Sequence, residues 1–375
     1  MCTVQNMTVN VCYVLNTVSQ TNAVTTIAAA LSRYEDVNVD LLAWFETGSF
    51  DGENHIDIEC FEAPRSELGI NTRTYREVCR YLKKYDIVQT HMNHSGTLAK
   101  LIGYRLNIPL VSREGNTREG FSRQGHIANG LTNALADRIV PNSRAVYDSF
   151  APWEQLLISD DDVEIIPNGV DLDRIDTARD SDYDLRQQFA IPEDAAVAGT
   201  VSVISEQKGY DTLISALAAV NDQSDQRLDL VIVGDGPLRS KIEARTKTLG
   251  VQKYVHFAGF VDRDTVYKIL TEIDFYTMPS RWEGFASAAV EALAARNACV
   301  FSDIDPFLIP YRNVALFHRL DDVHDLADKL VKLAENPERR KSYANKGRQL
   351  VEQQYTIKQV AEQYAELYKD VLPGR

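Results

Sequence analysis

The stretch richest in chemistry is MPSRWEGFASAAVEALAA, residues 278–295. It sets two carboxylates, Glu283 and Glu291, seven residues apart, around Gly284, Phe285 and a run of small residues that begins with Ala286 and Ser287. A helix opening near Ala286 would point its first backbone N–H groups, and the positive end of its dipole, at whatever lies before it; that is a seat for a diphosphate. Small side chains let a phosphate approach the backbone. Inside such a helix Glu291 can accept from both hydroxyls of a ribose, and Glu283 in the preceding loop can grip the hydroxyls of a sugar. The plainer alternative makes Glu283 an acid at a helix start and Glu291 one exposed helix charge. Lys208 precedes Gly209 and the helical pattern YDTLISALAAV. A protein of net charge −14 that binds a doubly charged diphosphate needs a cation at that point, and Lys208 is the candidate. A solvated surface lysine is the alternative.

These residues need elements to hold them. The first half alternates apolar runs (VNVCYVL, VNVDLLAWF, YDIVQTH, IPLVSRE, ADRIVPNS) with helical patterns such as TTIAAALSRY and SGTLAKLIGYRL. Strand, helix, strand in this order implies parallel pairing through crossover helices, and near-continuous apolar strands imply a sheet covered on both faces. After Pro167, Asn168 and Gly169 comes an Asp-rich stretch, and the alternation restarts with AVAGTVSVI, LDLVIVGDG, YVHFAGFV, DFYTMPS and ACVFSD. The expected organisation is residues 1–168 as one Rossmann-like domain, 169–355 as a second, and a helix over 356–375 that packs back on the first domain. Ligands of open parallel sheets bind beyond the carboxyl ends of the strands, so the functional loops should face a cleft between the two domains. The turn Gly234-Asp235-Gly236-Pro237 reads as structural. Gly259 and Phe260 fit a loop whose backbone could read a base, with a core role for Phe260 as the alternative.

In this setting the sequence resembles glycosyltransferase family 4, whose hallmark is a Glu-x7-Glu motif within a run much like Pro279-Ser280-Arg281-Trp282-Glu283-Gly284-Phe285. IIPNGVD resembles that family's interdomain segment, EQKGYDTLISAL its Lys-Gly helix start, LVIVGDGPLRSKIEA its Gly-Asp-Gly-Pro turn, and YVHFAGFV its strand and loop near the nucleobase. The resemblance covers most of the chain. It implies the α/β GT-B fold, two Rossmann-like domains facing a cleft. It also implies a retaining transferase with no resident cofactor or metal that uses a UDP- or GDP-linked sugar as substrate. By the same resemblance Glu291 holds the donor ribose and Glu283 the transferred sugar. Ala286 and Ser287 meet the diphosphate, and Lys208 serves the leaving nucleotide; Ser205 lies in the same donor-side loop.

Three departures from the family pattern stand out. The family carries an arginine shortly before the position of Lys208, where this chain has Ser202-Val203-Ile204-Ser205-Glu206-Gln207; Arg281 is a candidate replacement, with a surface arginine beside Trp282 as the alternative. The family's N-terminal glycine-rich loop is replaced by Val18-Ser19-Gln20-Thr21-Asn22-Ala23. A family histidine is replaced by Arg113-Glu114-Gly115-Asn116. Glu114 takes its place near the reacting sugar, or binds acceptor, or pairs with Arg113 or Arg118. Arg113, Asn116, Arg118 and His91 are the acceptor-side candidates, and His94 is a spare.

Composition narrows the field further. The chain has 375 residues, 44% of them hydrophobic and 25% charged, enough for two cores. The net charge argues against coating nucleic acid. Five scattered cysteines, none in a C-x-x-C pair, indicate neither a disulfide framework nor zinc. No apolar run reaches the roughly 20 residues of a bilayer span and no signal-peptide pattern opens the chain, so the expected location is cytoplasmic. Tyr75, Arg76, Arg80, Tyr81, Lys83, Lys84 and Tyr85 suit peripheral contact with an inner membrane face bearing a glycan or lipid-linked acceptor; an ordinary solvated helix is the alternative. Two rival functions stay open. One is a sugar-nucleotide 2-epimerase, which the Glu-x7-Glu run disfavours. The other is a catalytically weak or inactive sugar-nucleotide binder, which the missing arginine and histidine favour.

Overall fold

The structure is a computed structural model that describes residues 8–19, 23–48, 56–63, 72–91, 93–224 and 226–372. Gln20, Thr21 and Asn22, in the segment that stands for the family's glycine-rich loop, lie outside the described residues.

The chain forms two compact units, 1–169 with 357–375 and 170–356. The first holds a six-stranded sheet of β1 (Val9–Val18), β2 (Val37–Thr47), β3 (Ile58–Cys60), β4 (Ile87–His91), β5 (Leu110–Glu114) and β6 (Arg138–Pro141). The second holds β7 (Ala196–Val201), β8 (Leu228–Val233), β9 (Val255–Gly259), β10 (Phe275–Met278), β11 (Ala298–Ser302) and β12 (Leu316–His318). The spatial orders are β3-β2-β1-β4-β5-β6 and β12-β11-β10-β7-β8-β9, which are one and the same doubly wound order, and the strand pairs of both are parallel.

Both faces of each sheet are covered, which is why the strands read as continuous apolar runs. In β1, Val11, Tyr13 and Leu15 pack with helices Ala23–Leu31 and Ile357–Val371. Cys12 and Val14, on the opposite face, pack with helices Thr72–Leu82 and Asn93–Leu106. In the second unit Leu228, Leu230 and Ile232 of β8 face helices Tyr210–Gln223 and Val323–Ala334, while Val231 and Val233 face the side that carries helices Arg263–Glu272 and Ser287–Ala294.

The end of the chain follows its sequence breaks. Pro337 starts helix Pro337–Gln354, and Thr356 bridges Val170 at the edge of the second unit. Helix Ile357–Val371 then packs in the first unit, with Tyr368 donating to Gln89 at 2.7 Å and its hydroxyl 2.6 Å from that of Tyr13. A side chain on Gly169 would strike the backbone of Ile357, so the return point needs glycine for close approach. Cys12 and Cys299 are buried and free.

Candidate functional site

In each sheet the order reverses beside its first strand, so the loops after β7 and β10 open at the switch point of the second unit. They are the loops that carry Lys208 and Glu283. Residues Glu206–Lys208 form one tight turn, Gly209 follows at φ 62° in the left-handed region, and helix Tyr210–Gln223 begins. A side chain on Gly209 would overlap the Pro279 carbonyl, so glycine is required twice there, by conformation and by contact. The contact brings the two loops into register. Arg281 N donates to the Gln207 carbonyl at 2.7 Å, and Gln207 Nε2 donates to the Trp282 carbonyl at 2.8 Å. Lys208 Nζ then meets Glu283 Oε1 at 2.5 Å, with side-chain exposures of 15% and 5%. Lys208 is not a solvated surface lysine.

The helix expected near Ala286 spans Ser287–Ala294. Ala286 caps it at φ 53°, a left-handed conformation that costs a residue with a Cβ roughly 1–2 kcal/mol, and the first turn carries neither a capping side chain nor an acid. Gly284, Phe285, Ala286 and Ser287 thus lead from Glu283 directly into a helix N-terminus. Glu291 is buried, not an exposed helix charge, and it accepts from the guanidinium of Arg263, the first residue of helix Arg263–Glu272. Burial pushes the Glu291 carboxyl up from its ordinary value, and Arg263 opposes that shift.

The base-side expectations divide. Gly234 at φ 121° and Gly259 at φ 73° bridge through Gly234 N to the Gly259 carbonyl at 2.8 Å, and a side chain on Gly234 would overlap the Ser202 carbonyl. The Gly-Asp-Gly-Pro turn therefore braces the loop after β7, which agrees with its structural reading. Phe260 is 77% exposed, so the core alternative does not hold. Ser205 has an extended backbone at the start of the lysine turn. Arg281 donates to Asp211, Asp321 and the Glu206 carbonyl.

In the first unit Glu114 ends β5 and is buried. It accepts from Arg118 Nη1 at 3.0 Å, Ser112 Oγ at 3.1 Å and Asn129 Nδ2 at 3.3 Å. Of its three readings, pairing with Arg118 is the one found. Burial alone would raise its carboxyl, but Lys100 and Arg118 outweigh it and hold it below the ordinary range. Lys100, also buried, donates to Asn133 Oδ1 at 2.5 Å and to Ser112 Oγ at 3.2 Å, and burial pushes its ammonium down to about 8. Arg118 Nε reaches both oxygens of Glu154. Arg113 donates to Tyr364 at 2.9 Å and to Asn168, so it ties the sheet to the last helix. His91 is buried against Tyr13, and burial beside Arg113 pushes its imidazole down; only Asn116 of this group is exposed.

Comparison with known proteins supplies the context. The chain matches the family model "Glycosyltransferase Family 4" over residues 20–174 and "Glycosyl transferases group 1" over residues 182–350. The chain belongs with the GT-B glycosyltransferases. It is 31% identical to a 2-deoxystreptamine glucosyltransferase of Streptomyces kanamyceticus, over 36% of this chain and 34% of that protein. It is 25% identical to an N-acetylgalactosamine-N,N'-diacetylbacillosaminyl-diphospho-undecaprenol 4-alpha-N-acetylgalactosaminyltransferase of Campylobacter jejuni, over 73% of each. In fold it is similar to Anabaena HepE, whose crystal structure contains UDP and glucose, with TM-score 0.82 and 20% identity over 96% of this chain and 100% of that one.

Sequence reading missed several residues of this glycosyltransferase. Arg263 follows Asp262, whose side chain caps its helix, and reads as an ordinary first-turn residue; nothing in the spacing ties it to Glu291. Lys100 and Glu154 sit in helical stretches where charges normally face water.

Proposed function

We propose that this glycosyltransferase moves a sugar from a nucleoside diphosphate, UDP- or GDP-linked, to a glycan, lipid-linked glycan or small-molecule acceptor with retention of anomeric configuration. The observation that carries the reading is the part-buried Lys208–Glu283 pair set immediately before a helix N-terminus. In this reading the diphosphate sits on the backbone of residues 284–287, and Lys208 exchanges Glu283 for the phosphate oxygens as charge develops on the leaving nucleotide. Glu283, released from the ammonium, accepts from sugar hydroxyls and fixes the anomeric carbon. Glu291, paired with Arg263, accepts from the ribose, and Gly259, Phe260 and Ser205 border the base and phosphates. Titration calorimetry with UDP, GDP, ADP and TDP should give one selective nucleotide, bound at least tenfold more weakly by Glu291→Ala; the product anomer is read by NMR. A chain that binds none of the four sinks the donor reading. Binding without transfer or hydrolysis would make it a non-catalytic relative.

The Campylobacter relative acts on a diphospho-undecaprenol acceptor, and a membrane-borne acceptor suits one helix here. Arg73, Arg76, Arg80, Lys83 and Lys84 are all exposed on or just after helix Thr72–Leu82, whose buried side is Thr74, Val78 and Leu82. Such a stripe on an acidic protein fits an anionic bilayer surface. No helix among the described residues is long and apolar enough to cross a membrane. Vesicles containing phosphatidylglycerol should sediment the protein at low salt, and Arg76→Glu/Arg80→Glu/Lys83→Glu should abolish this; equal sedimentation of the variant rejects the surface.

A further inference from the structure

Arg281 stands two residues before Glu283 and reaches three segments of the second unit. Its Nε donates to the two oxygens of Asp321 at 3.0 and 3.1 Å, and Nη2 to the two oxygens of Asp211 at 3.0 Å each. Nη1 donates to the Glu206 carbonyl at 2.8 Å. Asp321 sits at φ 56°, in the left-handed region, and also accepts from Thr212 Oγ1 at 3.1 Å. The carboxylates therefore belong to the lysine turn with its helix on one side and to the loop after β12 on the other. An isolated pair with carboxylates 45% or 47% exposed would contribute little, but a guanidinium shared by two carboxylates and a carbonyl is fixed in position and direction. Four of the five N–H groups of the side chain already serve the protein, so among the described residues only the second N–H of Nη1 is left to a diphosphate unless it displaces one of these partners.

We infer that Arg281 is a positioning residue rather than a phosphate ligand: it straps the lysine turn and the loop around Asp321 to the motif loop, and so holds the Lys208 ammonium where it can pass from Glu283 to a diphosphate. Its effect on nucleotide rests on the donor-site reading above; the strapping does not. The strap also bears on the missing family arginine. The family's position before Lys208 is uncharged here, and Arg281 restores order to the lysine turn without adding a second phosphate contact.

Two measurements test it. Hydrogen exchange by mass spectrometry on Arg281→Ala should show amides of 205–211 and 319–322 exchanging at least tenfold faster, with β8 unchanged. Arg281→Lys, which keeps the charge but cannot span both carboxylates, should resemble Arg281→Ala; Asp321→Asn, which removes one arm alone, serves if Arg281→Ala fails to fold. Calorimetry with the nucleotide selected from the panel should show Arg281→Ala binding about tenfold more weakly, and Arg281→Ala/Lys208→Ala binding no more weakly than Lys208→Ala, because the first residue acts through the second. Unchanged exchange overturns the strap. Losses that multiply in the double variant overturn the positioning role and make Arg281 a direct ligand. Should the wild type bind no nucleotide, the donor reading fails while exchange still decides the strap.

Discussion

Lys208→Ala should lower turnover about 10²–10³-fold, the loss typical when one preorganised group that meets developing charge is removed. Glu283→Gln should cost a comparable factor, because the neutral amide offers one acceptor oxygen in place of two and lacks the charge that strengthens bonds from sugar hydroxyls. The two differ in what they do to the folded protein. Glu283 is almost fully buried and the ammonium is its main counter-charge, so Lys208→Ala leaves a buried carboxylate bonded only weakly, by Gln207 Nε2 at 3.5 Å. That variant should melt several degrees lower. Adding Glu283→Gln to it removes the uncompensated charge and should recover most of the melting temperature while turnover stays lost. Stability then recovers along the series while activity does not, which simple unfolding cannot produce. If either single variant keeps more than a tenth of wild-type turnover, the Lys208–Glu283 pair is not the centre of the chemistry.

That pair also marks what a sequence can and cannot tell. The two sheets were legible because Val11, Tyr13 and Leu15 alternate with Cys12 and Val14, apolar on both faces, a pattern that only a doubly covered parallel strand needs. The motif loop was legible because small residues follow a carboxylate into a helix. What joins the two loops was not. Lys208 and Glu283 are 75 positions apart in sequence, and the strand order β10-β7-β8 makes them neighbours. A glycine pressed on the Pro279 carbonyl closes the gap. Arg281 illustrates the same limit from the other side: beside Trp282 it reads as a replacement cation or a surface arginine, and its partners Asp211 and Asp321 are too distant in sequence for the spacing to show them. For Glu114 the spacing offers Arg118 as one partner among three readings, but gives no sign that Lys100 would enclose it from another helix. Propensity and pattern report which face of an element is apolar, but which charges are taken inside is decided by tertiary pairing.

The enclosed charges of the first unit should be its most fragile feature. Glu154 is fully buried; it grips Arg118 Nε with both oxygens, accepts from Ala151 N at 2.9 Å, and lies 3.3 Å from His126 Nε2. Arg118 lies between the rings of Phe121 and Phe150, where water cannot replace a lost partner. Glu154→Ala therefore strands a buried guanidinium with Glu114 as its remaining carboxylate and should cost about 3–5 kcal/mol, read as a fall in the urea midpoint at constant slope. Glu154→Gln keeps the shape and one acceptor oxygen, so it should cost less. Replacing both partners, Glu154→Met with Arg118→Met, removes the stranded charge and should regain part of the loss, a coupling that an ordinary cavity would not show. A midpoint for Glu154→Ala within about 1 kcal/mol of wild type would mean that Arg118 finds solvent, contrary to its burial, and that the cluster around Glu114 is open enough to admit a substrate after all.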